Sequence, residues 1–276
     1  MEEITNFEKM IEKLQNQNKM TKMVVAGADN ESILECCRKV KDLKIAESIL
    51  VGDKNSIIEI SSKKNINISD FEIIDIKDEN EIANYSSKLI HDEKANIFAK
   101  GSIETKALMK AILNKEIGIK EDNNVSLVSI FEMNQEGKSR LIMISDPGIR
   151  PYPTFEEKIS IINHAVEVAH VIGIKNPKVA VLAAIEVVNP KMKETVEADK
   201  LSKMNDNGEI KGCIVDGPLS LDLALDPEAC IMKKINNRKI QGDADILIFH
   251  DILNLLLILL LNYNHKELYN MNIFLV

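Results

Sequence analysis

Two stretches of this sequence place reactive or anion-holding side chains directly behind apolar runs. In the first, the run 96–99 gives way to Lys100-Gly101-Ser102 and then Thr105. A glycine lets a ligand approach the backbone, a helix opening here offers free N–H groups to an anion, and Lys100 adds positive charge. The turn is neither a Walker motif nor G-x-G-x-x-G, so an ordinary strand-to-helix turn with a solvated lysine is the competing reading. In the second stretch, the run 179–184 stops near Glu186 and Asn189-Pro190, and the run 212–215 stops at Asp216-Gly217-Pro218. Both runs are apolar without alternation, the pattern of strands covered on both faces. Ligands of open parallel sheets sit just past the carboxyl ends of the strands. Two adjoining strand ends bearing Glu186, Asn189 and Asp216 therefore form the candidate floor of a binding site, with plain turn capping as the alternative.

These residues need a scaffold to hold them. Runs 23–27, 48–51, 71–76 and 96–99 read as strands. Between them lie helical patterns such as Ile33, Leu34, Cys37, Val40 and Ile82, Leu89, Ile90. That alternation predicts a parallel sheet built by right-handed crossovers. A short amphipathic helix over 4–18 precedes it and a helix over 106–113 follows it. After residue 114 the rhythm changes. Runs 125–133 and 140–144, joined through 134–138, predict a hairpin, and Ser145-Asp146-Pro147-Gly148 stops its second arm. Thr154 and Glu157 fit a capping box for a helix that buries the Lys158 stem, Ile162, Ala165, Val166, Ala169 and Ile172 and ends at Gly173. A helix around 227–234 and a buried strand within 242–249 come next. The expected division is a first α/β lobe over 1–135, a second over 136–250 and an aberrant apolar tail over 251–276.

At 276 residues the chain is long enough for two lobes, and its net charge of -8 without a basic face speaks against nucleic acid. Cys36, Cys37, Cys213 and Cys230 form no C-x-x-C pair and have no histidine at metal-ligand spacing, so they read as small buried hydrophobes in a reducing cytoplasm, with no metal. His164 and His170 do not share a helical face and read as rim residues, neither ligand nor base. The N-terminus lacks the basic and apolar regions of a secretory leader. In the tail the uninterrupted apolar run 255–261 is seven residues, against the ~20 of a spanning helix, which speaks against a membrane hairpin and leaves an amphipathic helix on the sheet as the plain expectation.

The pieces NKEIGIK (114–120), EEKISIINHAVEVAHVIGI (156–174), IEVVNPKM (185–192), LSKMNDNGEIKGCIVDGPLSLDLAL (201–225) and GDADILIF (242–249) resemble the phosphate acetyl/butyryl transferase family, over about 1–249. The resemblance implies transfer of a short acyl group, butyryl foremost and acetyl as the alternative, between coenzyme A and inorganic phosphate. It also implies a two-lobed α/β/α architecture with mostly parallel sheets, as in isocitrate and isopropylmalate dehydrogenases, with substrates held between the lobes. A homo-oligomer is implied too, without metal, nicotinamide or pyridoxal. The family's K-G-x-x-x-T turn falls on Lys100, Gly101 and Thr105, with Ser102 inside it. Its strand-end aspartate falls on Asp146, although the asparagine common four residues on is Arg150 here. Its V-N-P turn falls on Asn189 and its V-D-G-P turn on Asp216 and Gly217. The family's later G-T-S-x-P-V stretch and its catalytic serine, arginine and aspartate have no counterpart after Phe249. The expected account is a reading-frame shift near residue 250, with a non-catalytic remnant as the alternative to an active transferase. Loss of the closing crossover would leave a buried strand's edge uncovered and the chain poorly soluble.

Overall fold

The computed structural model describes residues 3–17, 20–119, 125–135, 137–251 and 268–275. Contacts divide the chain into a unit over Ile11–Asn123 and a larger unit made of Met1–Met10 with Asn124–Val276.

In the Ile11–Asn123 unit, β1 (Thr21–Ala26), β2 (Ala46–Gly52), β3 (Glu72–Asp75) and β4 (Ile97–Lys100) form a parallel sheet in the order β3-β2-β1-β4. Successive residues of β1 explain why its run does not alternate. Val24 and Ala26 pack with α4 (Glu79–His91) and α5 (Thr105–Ile112), while Val25 packs with α2 (Glu31–Asp42) and α3 (Lys54–Lys64). Both faces are covered, so every position is apolar. The helices start where local chemistry dictates. Asn30, Asp53 and Asp78 each accept a hydrogen bond from the first turn, meeting donors that no helix can satisfy internally. Asn65, with φ of 55°, ends α3 in the left-handed region that asparagine tolerates.

In the larger unit, β5 (Leu127–Gln135), β6 (Lys138–Ser145), β7 (Lys178–Leu182), β8 (Ile214–Leu219), β9 (Ile246–Ile248) and β10 (Leu268–Leu275) form a sheet ordered β10-β5-β6-β9-β7-β8. The β5–β6 hairpin and the β10–β5 pair are antiparallel, and the remainder is parallel. On one face α6 (Phe155–Val171) and α7 (Lys193–Asp206) bury Ile161, Ile162, Ala198 and Leu201 against Met143, Val179, Val215 and Ile246. On the other, α8 (Leu221–Leu225) and α9 (Pro227–Met232) bury Leu223, Ala229 and Cys230 against Ile144, Ala180, Leu247 and Phe249. Each large aliphatic side chain removed from water in this way contributes about 1.5–3 kcal/mol. The capping box at Thr154 and Glu157 is present with both of its hydrogen bonds. Gly173, with φ of 98°, lets Ile174 donate back to the Ala169 carbonyl and stops α6.

Several expectations change. The units divide at 123/124 rather than at 135/136, because β5 is zipped along its length to β6 and cannot belong to another unit. Residues before Ile11 join the larger unit, where Ile4 is buried and donates its amide to Ile172. Asp216 does not terminate its strand: β8 runs on to Leu219, with a register shift against β7 between Ala180 and Leu182. The buried strand expected within 242–249 is β9, interior to the sheet and paired with β6 and β7. Of the tail, Leu268–Leu275 forms a strand, β10, and the apolar run 255–261, on which an amphipathic helix was expected, lies outside the described residues. Among the described residues no helix is long and apolar enough to cross a membrane.

Candidate functional site

In the Ile11–Asn123 unit the candidate turn follows β4. Lys100 is exposed, and among the described residues its ammonium reaches only the Gly101 carbonyl, at 3.4 Å. Gly101 is required by the neighbouring turn: a Cβ there would lie 2.0 Å from the Gly27 carbonyl oxygen. The amides of Gly101 and Ser102 donate to the Ala26 and Gly27 carbonyls, both at 2.8 Å, and the Ser102 hydroxyl donates to Asp29 at 2.6 Å. These amides are therefore unavailable to an anion, contrary to the expectation from sequence. Donors remain on the other side of the turn. The first intrahelical donor of α5 is Leu108, to the Glu104 carbonyl, and Glu104 makes no side-chain cap. Helix geometry leaves the amides of Thr105, Lys106 and Ala107 facing outward beside exposed Thr105 and Lys106.

In the larger unit the carboxyl ends of the strands carry three distinct constructions. Asp146, directly after β6, is buried and accepts from the Leu127 amide at 2.9 Å and from Gly148 and Ile149 at 2.7 and 2.8 Å. It fixes the following loop, and Arg150 pairs with Glu157 and donates to the Val125 carbonyl at 3.2 Å. Asn189 makes a turn of its own. Its side chain accepts from Lys191 at 3.0 Å and its backbone exchanges bonds with the Thr195 hydroxyl, which starts α7.

The third construction joins Glu186 and Asp216. Buried Asp216 accepts from the amides of Gly217, Lys239 and Ile240 at 2.9, 2.8 and 3.2 Å and from the Arg238 guanidinium at 3.2 Å. Arg238 also donates to the Glu186 and Pro218 carbonyls. The Glu186 carboxylate accepts from the Ser220 hydroxyl at 2.7 Å and from Lys233 at 3.0 Å. That hydroxyl bond, assisted by the Lys233 ammonium, holds the Glu186 carboxyl below the usual carboxylate range. A carboxylate so held is a poor proton acceptor near neutral pH. Gly217 is set by packing, since a Cβ there would sit 2.8 Å from the Val181 carbonyl oxygen and 3.1 Å from the Ala198 methyl. Thus the structure unites Glu186 and Asp216 through Arg238 and leaves Asn189 and Asp146 in separate turns.

Sequence reasoning missed Arg238, Lys233 and Ser220. A signal for the first existed: arginine occurs only four times in this lysine-rich chain, at 38, 140, 150 and 238. Where lysine is the default cation, arginine marks sites that need a planar, multidentate donor. Also missed was a cluster at the carboxyl end of β9. The expected burial of the Lys158 stem extends to its ammonium: the residue is 1% exposed, with Nζ 2.6 Å from Glu197 and 2.7 Å from His250 Nδ1. Burial pushes Lys158 down against the pull of Glu197, and burial together with the Lys158 charge depresses His250.

His164 and His170 make local bonds, to the Ser126 hydroxyl at 2.7 Å and the Gly212 carbonyl at 2.9 Å. Cys37, Cys213 and Cys230 are buried, and burial lifts the first two thiols to about 11; Cys36, against expectation, is exposed. Among the described residues no group of histidine, cysteine and carboxylate side chains could hold a metal ion.

The chain matches the model of the family described as phosphate acetyl/butaryl transferase over residues 6–97 and 85–254. It is 41% identical to a phosphate butyryltransferase of Clostridium acetobutylicum over 249 residues, covering 90% of this chain and 81% of that protein. It is 38% identical to a phosphate acetyltransferase of Thermotoga maritima over 246 residues, covering 89% and 82%. The crystal structure of a branched-chain phosphotransacylase from Enterococcus faecalis V583 superposes with a TM-score of 0.79 at 27% identity, covering 93% of this chain and 88% of that one.

Proposed function

This chain belongs to the phosphate acetyl/butaryl transferase family, and on that premise we propose that it moves a butyryl group between coenzyme A and inorganic phosphate. A phosphate oxygen attacks the thioester carbonyl, the carbon–sulfur bond breaks, and the departing thiolate takes up a proton. The single observation that carries the reading is the 41% identity to a phosphate butyryltransferase across 90% of the chain. The reaction balances without a dissociable cofactor. Lys100, Thr105 and the first-turn amides of α5 supply the positive field that a phosphate requires. Gly101 and Ser102 hold that turn's shape. Glu186, Asn189 and Asp146 shape loops at the strand ends of the larger unit, and Asp216 with Gly217 acts through Arg238. Further parts of the proposal are assembly of like chains and residence in the cytoplasm, where thiols stay reduced.

Butyryl-CoA and phosphate supplied to the purified chain should release thiol in proportion to phosphate, with acetyl-CoA turned over more slowly. A pocket discriminates one or two methylenes by only about 1–3 kcal/mol, so the preference is expected to be a ratio rather than an absolute. A second reading, a chain that no longer turns over, is favoured by one observation: the family match stops at residue 254. Phosphate-dependent thiol release within about ten-fold (~1.4 kcal/mol) of the Clostridium acetobutylicum protein excludes it, and none at all supports it.

A further inference from the structure

Three of the chain's four arginines are paired: Arg38 with Asp42 and Asp70, Arg150 with Glu157, Arg238 with Asp216. The fourth is not. Among the described residues, Nε and Nη2 of Arg140 are shut off from solvent and meet no hydrogen-bond partner, where Arg38 leaves only its Nε so. Such groups are rare in native structures because each costs its full desolvation, and one explanation is a ligand that completes them. Burial accordingly depresses the Arg140 guanidinium despite the electrostatic pull of Asp245 and Asp243.

Arg140 borders a cavity of about 420 Å³ in the larger unit. The cavity lies at the amino ends of the parallel strands: Lys178 opens β7, and Asp245 directly precedes β9. Asp146, Glu186 and the Asp216 knot occupy the opposite, carboxyl ends. The lining has polar and apolar parts. Ile4, Leu141 and Ile174 supply aliphatic surface, Lys175 adds a second cation, and Glu3 and Asn176 complete the polar wall. Lys178 is neutralised within the lining by Asp243, and Asp245 accepts the Lys178 amide at 2.8 Å. Neither carboxylate bonds to Arg140.

We propose that this cavity is a binding site, separate from the strand-end loops, for a small oxyanion held by the Arg140 guanidinium, with its remaining bulk against Ile4, Leu141 and Ile174. Carboxylate and phosphate share the required chemistry: two adjacent anionic oxygens matching the guanidinium fork. Binding in this proposal includes a turn of the Arg140 side chain, since its unmet nitrogens are closed to solvent in the unliganded fold.

The test uses the full chain labelled at isoleucine and leucine methyls, titrated separately with inorganic phosphate and with butyrate, and with sodium chloride at matched ionic strength. Saturable shifts of the Ile4, Leu141 and Ile174 methyls with either anion, and not with chloride, are expected. In Arg140→Met the affinity should fall by about ten-fold or more, the worth of a charge-assisted pair. Methyl signals of the rest of the larger unit serve to confirm that the variant is folded. Response to phosphate alone or to butyrate alone identifies the oxyanion class and supports the site. Equal shifts with chloride, equal shifts in Arg140→Met, or no saturable shift with either anion overturns it. Assay of thiol release is not involved, so the outcome is independent of turnover.

Discussion

The Lys100 turn and the Asp216 knot both lie behind apolar strands and both carry charge, yet they are opposite constructions. Asp216 is buried and meets three amides and a guanidinium. Lys100 is exposed, and the glycine beside it exists because two backbone turns touch. A charge that the fold has saturated holds loops in place, while one that the fold leaves open is available to a ligand. Motif matching treats the two alike, and burial together with the hydrogen-bond inventory separates them.

Removing the saturated charge should have the largest effect. Asp216→Ala removes the buried carboxylate that Arg238 and the amides of Lys239 and Ile240 share, leaving Arg238 with its two carbonyl partners, and a loss of about 3 kcal/mol is expected in denaturant unfolding. A loss below about 1 kcal/mol would erase the contrast. On the other side, Gly101→Ala forces a methyl against the Gly27 carbonyl and should cost about 1–3 kcal/mol, whereas Lys100→Ala should stay within about 0.5 kcal/mol. Lys100→Ala should instead weaken phosphate binding about ten-fold, read by equilibrium titration. Stability loss without a binding loss would place Lys100 with the structural charges.

The smallest effect concerns His250, which shares the features of both regions, being half-buried and bonded to Lys158. Its folded-state value is depressed, so the neutral ring is the form the fold accommodates. Its contribution is therefore fully present above the unfolded value of about 6.5 and is lost as pH falls through the lower folded one. Charges facing it are Lys158, Glu197, Glu194 and Asp251. Unfolding midpoints measured from pH 7 down to pH 5 should drop less steeply in His250→Asn than in the parent chain. Parallel curves would assign the acid sensitivity elsewhere.

The fold was readable where both faces of a strand are covered, because runs such as Val24, Val25 and Ala26 then lose their alternation. The capping box was readable because its two partners lie within one helical turn. The site was readable only in part. Glu186 and Asp216 could be placed at neighbouring strands, but the residue that unites them, Arg238, comes from a loop 22 positions beyond Asp216. Long-range closure of that kind leaves no periodic trace. The fate of the Gly101 and Ser102 amides was equally hidden, since it depends on how one turn settles against another 75 positions away.

Ile4 is fastened under the Ile172 carbonyl, while the unit to which it belongs resumes only at residue 124. The Ile11–Asn123 unit is thus an insertion within its companion. During synthesis, which proceeds from the amino end, that insertion can mature while the first ten residues wait. Their docking site is assembled from chain that emerges much later. Early translational pauses should therefore spare the inserted unit, and the amino-terminal segment should be the last stretch to gain protection from protease on a stalled ribosome.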